Sequence, residues 1–260
     1  MQISLRDKRV MVTGGNSGIG AAMARAFAAA GARVAINYVI NPAKTDALVT
    51  QITTDGGNAL GLMADISSRD AVDAMFARMD AEWGGIDVLV NNAGTDGHRM
   101  LGWQADPNAW SKVIDINLKG AFLCARQALK RMVPQKSGVV LNISSVHEVI
   151  AWSGYSAYTA SKAGLAMMSK SLAQEAAPHG IRVLCIAPGA IRTPINQDVW
   201  KNPKSYQDLL QKIPMHRIGE LDDVAGMAVV LASDIASYVT ATTVFIDGGM
   251  TAYPGFAHGG

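Results

Sequence analysis

Short apolar, β-branched runs alternate with longer amphipathic stretches along all 260 residues, and no other feature restricts the fold as much. The runs lie at 9–13, 33–37, 59–64, 88–91, 139–143, 182–186 and 243–246. Several are apolar at nearly every position, as strands covered on both faces of a parallel sheet must be. The intervening pattern predicts helices at 18–30, 42–55, 69–83, 107–132 and 155–177. Strand–helix alternation of this kind predicts a doubly wound α/β sheet, mostly parallel and seven-stranded, with right-handed crossovers placing helices on both faces. No Pro-, Gly- or Ser-rich linker divides the chain, so one domain over 1–260 is expected. The rhythm breaks at 195–218, where Pro203 and Pro214 surround a short polar helix candidate at 205–212. An insertion there, between the sixth strand and the last helix, is either a lid over a site or a structural excursion.

Composition narrows the functional classes. With 49% hydrophobic and 17% charged residues the chain can bury a sizeable core. A net charge of +2, with Lys and Arg scattered, predicts no nucleic-acid partner. Cys124 and Cys185 have apolar neighbours and read as buried free thiols. The histidines show no metal-ligand spacing, so no metal is expected. No run approaches about 18 apolar residues, and the first residues lack the apolar core of a signal peptide. A cytoplasmic protein without membrane contact is the expectation.

Two motifs carry chemistry. The first strand runs into Thr13-Gly14-Gly15-Asn16-Ser17-Gly18-Ile19-Gly20, directly before a helix. Glycines at a strand–helix turn let the backbone approach a pyrophosphate, with the helix N-terminus aimed at the anion. That position makes the fold Rossmann-type. Further along, Tyr158 and Lys162 stand four apart, on one face of a helix, with Ser145 upstream. A tyrosine ordinarily ionises near pH 10, roughly, and a neighbouring cation favours its ionised form. The ammonium of Lys162, aided by an oxidised nicotinamide ring, is expected to lower the Tyr158 pKa enough for proton exchange with an alcohol or ketone.

Thr13-Gly14-x-x-x-Gly18-Ile19-Gly20, Asn91-Asn92-Ala93-Gly94, Ser145 and Tyr158-x-x-x-Lys162 together resemble the signature set of the short-chain dehydrogenase/reductase family, in order and spacing over the whole chain. Asn117 fits that family's fourth catalytic position, and Pro188-Gly189 with Thr193-Pro194 fits the segment that holds the nicotinamide. The resemblance implies Tyr158 as the proton-transfer group and Ser145 as a hydrogen-bonding partner of the reacting oxygen. It implies Lys162 as the residue that tunes the phenol and binds the ribose, and Asn117 as the anchor of a water leading from Lys162 to solvent. It also implies a cofactor site of Gly14, Asn16, Ser17, Gly18, Ile19, Gly20, Asn37, Asp65, Ile66, Asn91, Ala93, Gly94, Tyr158, Lys162, Pro188, Gly189, Ile191 and Thr193. Left to themselves, Ser145 reads as a strand-end turn former and Asn117 as a polar residue inside a helix.

The second strand ends Asn37-Tyr38-Val39-Ile40-Asn41, with neither the carboxylate that suits NAD nor the arginine that suits NADP. Dual use or a modest preference is expected, with Lys44 either reaching a phosphate or solvated. For the substrate, Ser144 to Ile150 with Trp152, and the segment around Ile195-Asn196, are similar to bacterial glucose 1-dehydrogenases. That similarity implies a sugar or polyol bound by Asp96, Ser145, His147, Tyr158 and Asn196, oxidised at the anomeric hydroxyl to a lactone. His147 can equally be a hydrogen-bonded structural residue. The stretch Ser153-Gly154-Tyr155-Ser156-Ala157 departs from the bulky wall of those enzymes. Two alternatives stay open: a carbonyl or 3-ketoacyl reductase, and a non-catalytic nucleotide-sensing protein. Small residues such as Ala160, Ala163, Gly164 and Ala166 permit close helix pairing, and the resemblance implies a homotetramer in which the tail from Tyr253 packs on a neighbour.

Overall fold

Seven strands form one sheet in the order β3-β2-β1-β4-β5-β6-β7, and every neighbouring pair is parallel. The computed structural model describes residues 3–193 and 197–252. The strands are β1 (Arg9–Val12), β2 (Arg33–Tyr38), β3 (Asn58–Met63), β4 (Val88–Asn91), β5 (Gly138–Ile143), β6 (Ile181–Pro188) and β7 (Thr243–Ile246). The expected runs match these within a few residues at each end. The predicted "mostly parallel" sheet is wholly parallel.

The helices are α1 (Gly18–Ala29), α2 (Pro42–Thr54), α3 (Arg69–Trp83), α4 (Pro107–Ile114), α5 (Ala121–Gln135), α6 (Ser156–Ala176), α7 (Gln197–Lys201), α8 (Pro203–Leu210) and α9 (Leu221–Ala232). Burial explains the nearly unbroken hydrophobicity of the central strands. One face of the sheet packs Val10, Val12, Val34 and Ile36 against Met23 and Phe27 of α1 and Val224 and Ala228 of α9. The other face packs Met11, Leu89, Val140 and Val183 against Phe76 of α3 and Cys124, Ala128 and Met132 of α5. Fully burying a side chain such as Phe27 or Phe76 contributes about 1.5–3 kcal/mol. Together the two faces fix the sheet's register.

One helical expectation changes. The stretch 107–132 is not one helix: α4 and α5 are joined by a π-helical turn, Asp115–Gly120. A π turn widens the helix by one residue, an irregularity often found at functional sites. Asn117 lies in that turn. Within the region expected as an insertion, α7 and α8 stand in place of the single helix candidate at 205–212.

Candidate active site

The strand order reverses direction between β1 and β4, which leaves a crevice at the carboxyl ends of these two strands. The glycine turn occupies it. Gly14 has a φ of 59°, and a Cβ there would stand 2.9 Å from the Ala93 Cα. At Gly20 a Cβ would overlap the Gly14 carbonyl oxygen. The turn therefore has room for backbone only, and that is the cradle a pyrophosphate needs. Ser17, the exposed N-cap of α1, makes no side-chain capping bond, and the first N–H groups of α1, from Gly18 and Ile19, open on the crevice end of the sheet. These features fit a dinucleotide.

Side chains brace the turn from behind. Thr13 Oγ1 accepts from the N–H groups of Asn92 (2.9 Å) and Ala93 (3.0 Å). Asn92 Nδ2 donates to the carbonyls of Thr13 (2.9 Å) and Gly14 (3.1 Å). Asn91 donates to Ala121 O and Asn142 Oδ1, tying β4 to α5 and β5. Thr13 and Asn92 are missing from the expected cofactor set. Polar residues ending otherwise apolar strands were the available signal for them.

Asn37 plays a different part from the one expected. It is 1% exposed, its Nδ2 donates to Leu62 O and Ala64 O, and its Oδ1 accepts from the Gly14 N–H. Its amide is engaged inside the protein and supports the glycine turn, so it does not reach outward to a ribose. The residues that do face solvent at this strand end are Val39 and Ile40. Asn16 also donates within the protein, to Ile40 O at 2.9 Å and Thr45 Oγ1 at 3.2 Å. Asp65 is exposed at the end of β3 and accepts from the Ser67 N–H and hydroxyl, whereas Ile66 is buried beneath Gly120. On the other flank Pro188 ends β6, Gly189 donates to Ile246 O, and buried Ile191 bridges to Gly219. Trp200 donates to the Thr193 carbonyl at 3.4 Å.

The catalytic candidates converge beside this crevice. Ser145 follows β5, Tyr158 and Lys162 lie on α6, and Asn117 sits in the π turn. Lys162 is buried, its Nζ donating to Ile143 O at 2.7 Å and standing 5.6 Å from the centre of the Tyr158 ring. A Cβ on Gly94 would lie 3.2 Å from Asn117 Oδ1 and 3.7 Å from Lys162 Nζ, so the loop after β4 closes over both. Asn117 accepts from the Thr95 N–H and donates to Thr95 O and Ser161 Oγ. Its amide thus aligns that loop with α6, and Oδ1 keeps a second lone pair beyond the one that accepts from Thr95.

The electrostatics differ from the sequence expectation. Burial pushes the Tyr158 phenol up rather than down; the Ser145 hydrogen bond opposes this and the Asp96 charge adds to it. Burial also pulls Lys162 down to about 8, against the raising influence of Cys185 and Glu148. In the chain by itself, desolvation is the leading influence on both groups. Burial pushes the Cys124 thiol up to about 12 and Cys185 to about 11, so both stay unreactive thiols near neutrality.

The side expected to meet substrate is aromatic. His147 stacks on Trp152 (4.5 Å between centroids, 11° between planes), and Trp152 stacks on Tyr155 (3.9 Å, 26°). Tyr158 meets both His147 and Trp152 edge-on, at 6.1 and 6.0 Å. His147 Nδ1 lies 3.0 Å from Ile150 O, and a carbonyl only accepts, so Nδ1 carries the proton and Nε2 is an acceptor. Burial, opposed by that bond, lowers the His147 pKa and keeps the ring neutral near pH 7. The carbonyl oxygen of Gly154, a residue with a φ of 88°, accepts from the Met100 N–H and so docks the loop after β4 on this turn. A small cavity of about 70 Å³ between them is lined by Asp96, Trp110, Val113 and Tyr155. Asn196 and the tail from Tyr253 lie outside the described residues. Among the described residues no helix is long and apolar enough to cross a membrane, and no cluster of His, Cys, Asp or Glu could hold a metal ion.

Known proteins share this architecture. A family model described as enoyl-(acyl carrier protein) reductase matches residues 14–251. The chain is 45% identical to 3beta-hydroxysteroid dehydrogenase 1 of Eggerthella lenta over 100% of its own length and 99% of that protein. It is 41% identical to glucose 1-dehydrogenase 2 of Bacillus subtilis, covering 98% of each. Among solved structures, a gluconate 5-dehydrogenase from Burkholderia cenocepacia in complex with NADP and tartrate matches with a TM-score of 0.92 and 31% identity, covering 97% of this chain and 98% of that one.

Proposed function

We propose a substrate and a division of labour from one premise: this chain belongs to the short-chain dehydrogenase/reductase family. It is an NAD(P)-dependent oxidoreductase acting on CH–OH groups. The substrate we propose is an aldose such as glucose, oxidised at the anomeric hydroxyl to its lactone. The observation that carries this reading is the neutral His147 acceptor on an aromatic wall that meets Tyr158 edge-on, with Asp96 acting on the phenol from the opposite loop. Aromatic faces suit the C–H face of a sugar ring, and converging polar groups suit its hydroxyls.

In this reading Ser145 and Tyr158 hold the reacting oxygen, and Tyr158 takes its proton. Lys162 supplies the positive charge beside the phenol and, with Gly94, borders the ribose. The glycine turn and the α1 N-terminus hold the pyrophosphate, and the ends of β2 and β3 border the adenosine. A bound nicotinamide dinucleotide supplies the hydride acceptor and a ring charge that favours the phenolate. With neither carboxylate nor arginine at Tyr38-Val39-Ile40, both NAD and NADP are accepted. Operation in the cytoplasm as a homotetramer belongs to the same proposal, and exposed Phe122 on α5 and Met167 on α6 support helix pairing between copies.

A second reading has its own support. The relative at 45% identity is a 3β-hydroxysteroid dehydrogenase. Met100, Leu101 and Val149 are exposed near the aromatic wall, an apolar rim that suits a flat alicyclic alcohol. Incubating the protein with aldoses, 3β-hydroxysteroids and an acetoacetyl thioester, with each cofactor in turn, separates the readings through the absorbance of the reduced nicotinamide. Turnover of an aldose is expected. Turnover of steroids alone replaces the sugar, and reduction of the thioester alone replaces both.

A further inference from the structure

A group that the proposed chemistry leaves unused is the carboxylate of half-buried Glu148. It ends the short 3₁₀ turn Val146–Glu148, directly after Ser145, and its N–H donates to Ser145 O at 2.9 Å. The turn packs on α6, which carries Tyr158 and Lys162, and on β6. Glu148 Oε2 is buried and has no hydrogen-bond partner among the described residues. A buried carboxylate oxygen without a hydrogen bond is costly unless a nearby cation compensates it.

The buried cation next to this turn is Lys162, whose Nζ bonds Ile143 O on β5. The titratable groups that face it come from three elements: Cys185 from β6, Glu148 from the turn, and the Tyr158 ring from α6 itself. Asp96, from the loop after β4, acts on Tyr158. With its thiol pushed up to about 11, Cys185 carries no charge near neutrality. Glu148 is then the carboxylate of this set that acts on Lys162.

We infer that Glu148 is a positioning residue, the carboxylate that holds Lys162 as an ammonium beside Tyr158. The inference rests on the reading of Tyr158 and Lys162 as the reacting pair. Its sign follows from the burial of the lysine. Lys162 is drawn down to about 8 even with Glu148 present. Removing the carboxylate lets the proton leave at lower pH, and the phenol loses its cation within the physiological range.

The test follows Lys162 Nζ by NMR in ¹⁵N-lysine-labelled protein without nucleotide, in wild type, Glu148→Gln and Glu148→Asp, with Lys162→Met assigning the signal. Glu148→Gln is expected to lower the apparent pKa of Lys162 by about one unit. Glu148→Asp, with its charge withdrawn by one methylene, should give a smaller fall in the same direction, and it carries the test if Glu148→Gln does not fold. In parallel, the alkaline limb of kcat/KM against pH should move down in the same order. An unchanged lysine titration in a folded variant overturns the inference, as does a loss of activity equal at every pH. The titration needs no substrate. Wild-type protein that turns over no alcohol therefore sinks the dehydrogenase reading while leaving this measurement readable.

Discussion

The two walls of the cleft are built by different means. The proposed dinucleotide wall is made mostly of backbone in close contact, Gly14 against Ala93 and Gly20 against Gly14, with the Thr13 hydroxyl and the Asn92 amide lacing β1 to β4. The proposed substrate wall is made of side chains in contact with side chains, with His147, Trp152 and Tyr155 stacked on a loop. A wall with no room for a methyl group tolerates almost no change. Stacked rings on loops can be exchanged without disturbing the sheet, because loops carry function on a scaffold that folds without them. Relatives with steroid, sugar and 3-oxoacyl names share this chain's length and fold, as that contrast predicts.

The largest effect should come from the junction of the walls. Tyr158→Phe keeps the ring and its edge-on contacts and removes only the hydroxyl, so turnover should fall by about 1,000-fold. Nucleotide affinity, measured by fluorescence titration, should stay within about twofold, because the hydroxyl is one contact among many. Retention of a tenth of the activity would show that Tyr158 is not the proton-transfer group.

Lys162→Met should abolish turnover and yet stabilise the fold. A lysine drawn from 10.5 to about 8 by burial makes the folded state bind its proton less well than the unfolded state does. Its burial is therefore destabilising below about pH 8, by about 3 kcal/mol, and the penalty fades as pH rises toward the unfolded value. Urea unfolding at pH 7 should show a gain up to that size, less what the lost Ile143 bond contributes, and the gain should shrink near pH 10, approximately. Equal stability at both pH values would mean that the ammonium is not desolvated as the geometry indicates.

Gly20→Ala probes the backbone wall alone. Its new Cβ would overlap the Gly14 carbonyl and stand 2.6 Å from Asn92 Nδ2, so the turn must shift. A cost of about 2–3 kcal/mol is expected, with dinucleotide affinity falling with it. Unchanged Tm and affinity would show the cradle to be looser than its contacts suggest.

What the sequence disclosed follows the same division. The turn from Thr13 to Gly20 and the shared face of Tyr158 and Lys162 were legible because tight backbone turns and helical spacing leave marks in the order of residues, whereas Asn91 to Gly94 stood out only through its resemblance to a family motif. The strands were legible because burial on both faces demands unbroken apolar runs. The π turn at Asp115–Gly120 left no such mark, since a single helix and two helices joined by a wider turn share one periodicity. Asn37 was misread because sequence locates a strand end without telling which face its side chain takes, and here it points inward to Leu62 and Ala64. The upward shift of Tyr158 was hidden for a related reason: spacing reveals a neighbouring cation and says nothing of how deeply both groups are buried. The Trp152 stack depends on a loop folding back on itself, which no local pattern encodes.

The smallest predicted effect bears most directly on the contrast between the walls. Trp152 lies between His147 and Tyr155 and stands edge-on to Tyr158. Each aromatic pair contributes about 0.5–1.5 kcal/mol beyond simple burial, so Trp152→Ala should raise KM by about tenfold. Trp152→Phe keeps a ring between the same neighbours and should recover most of that loss. Because the stack rests on the loop after Ser145 and not on β1 or β4, the dinucleotide Kd should move by less than about twofold in either variant. A Trp152→Ala protein that loses sugar and nucleotide affinity in step would mean the two walls form one mechanical unit, and specificity could then not vary on one of them while the other stays fixed.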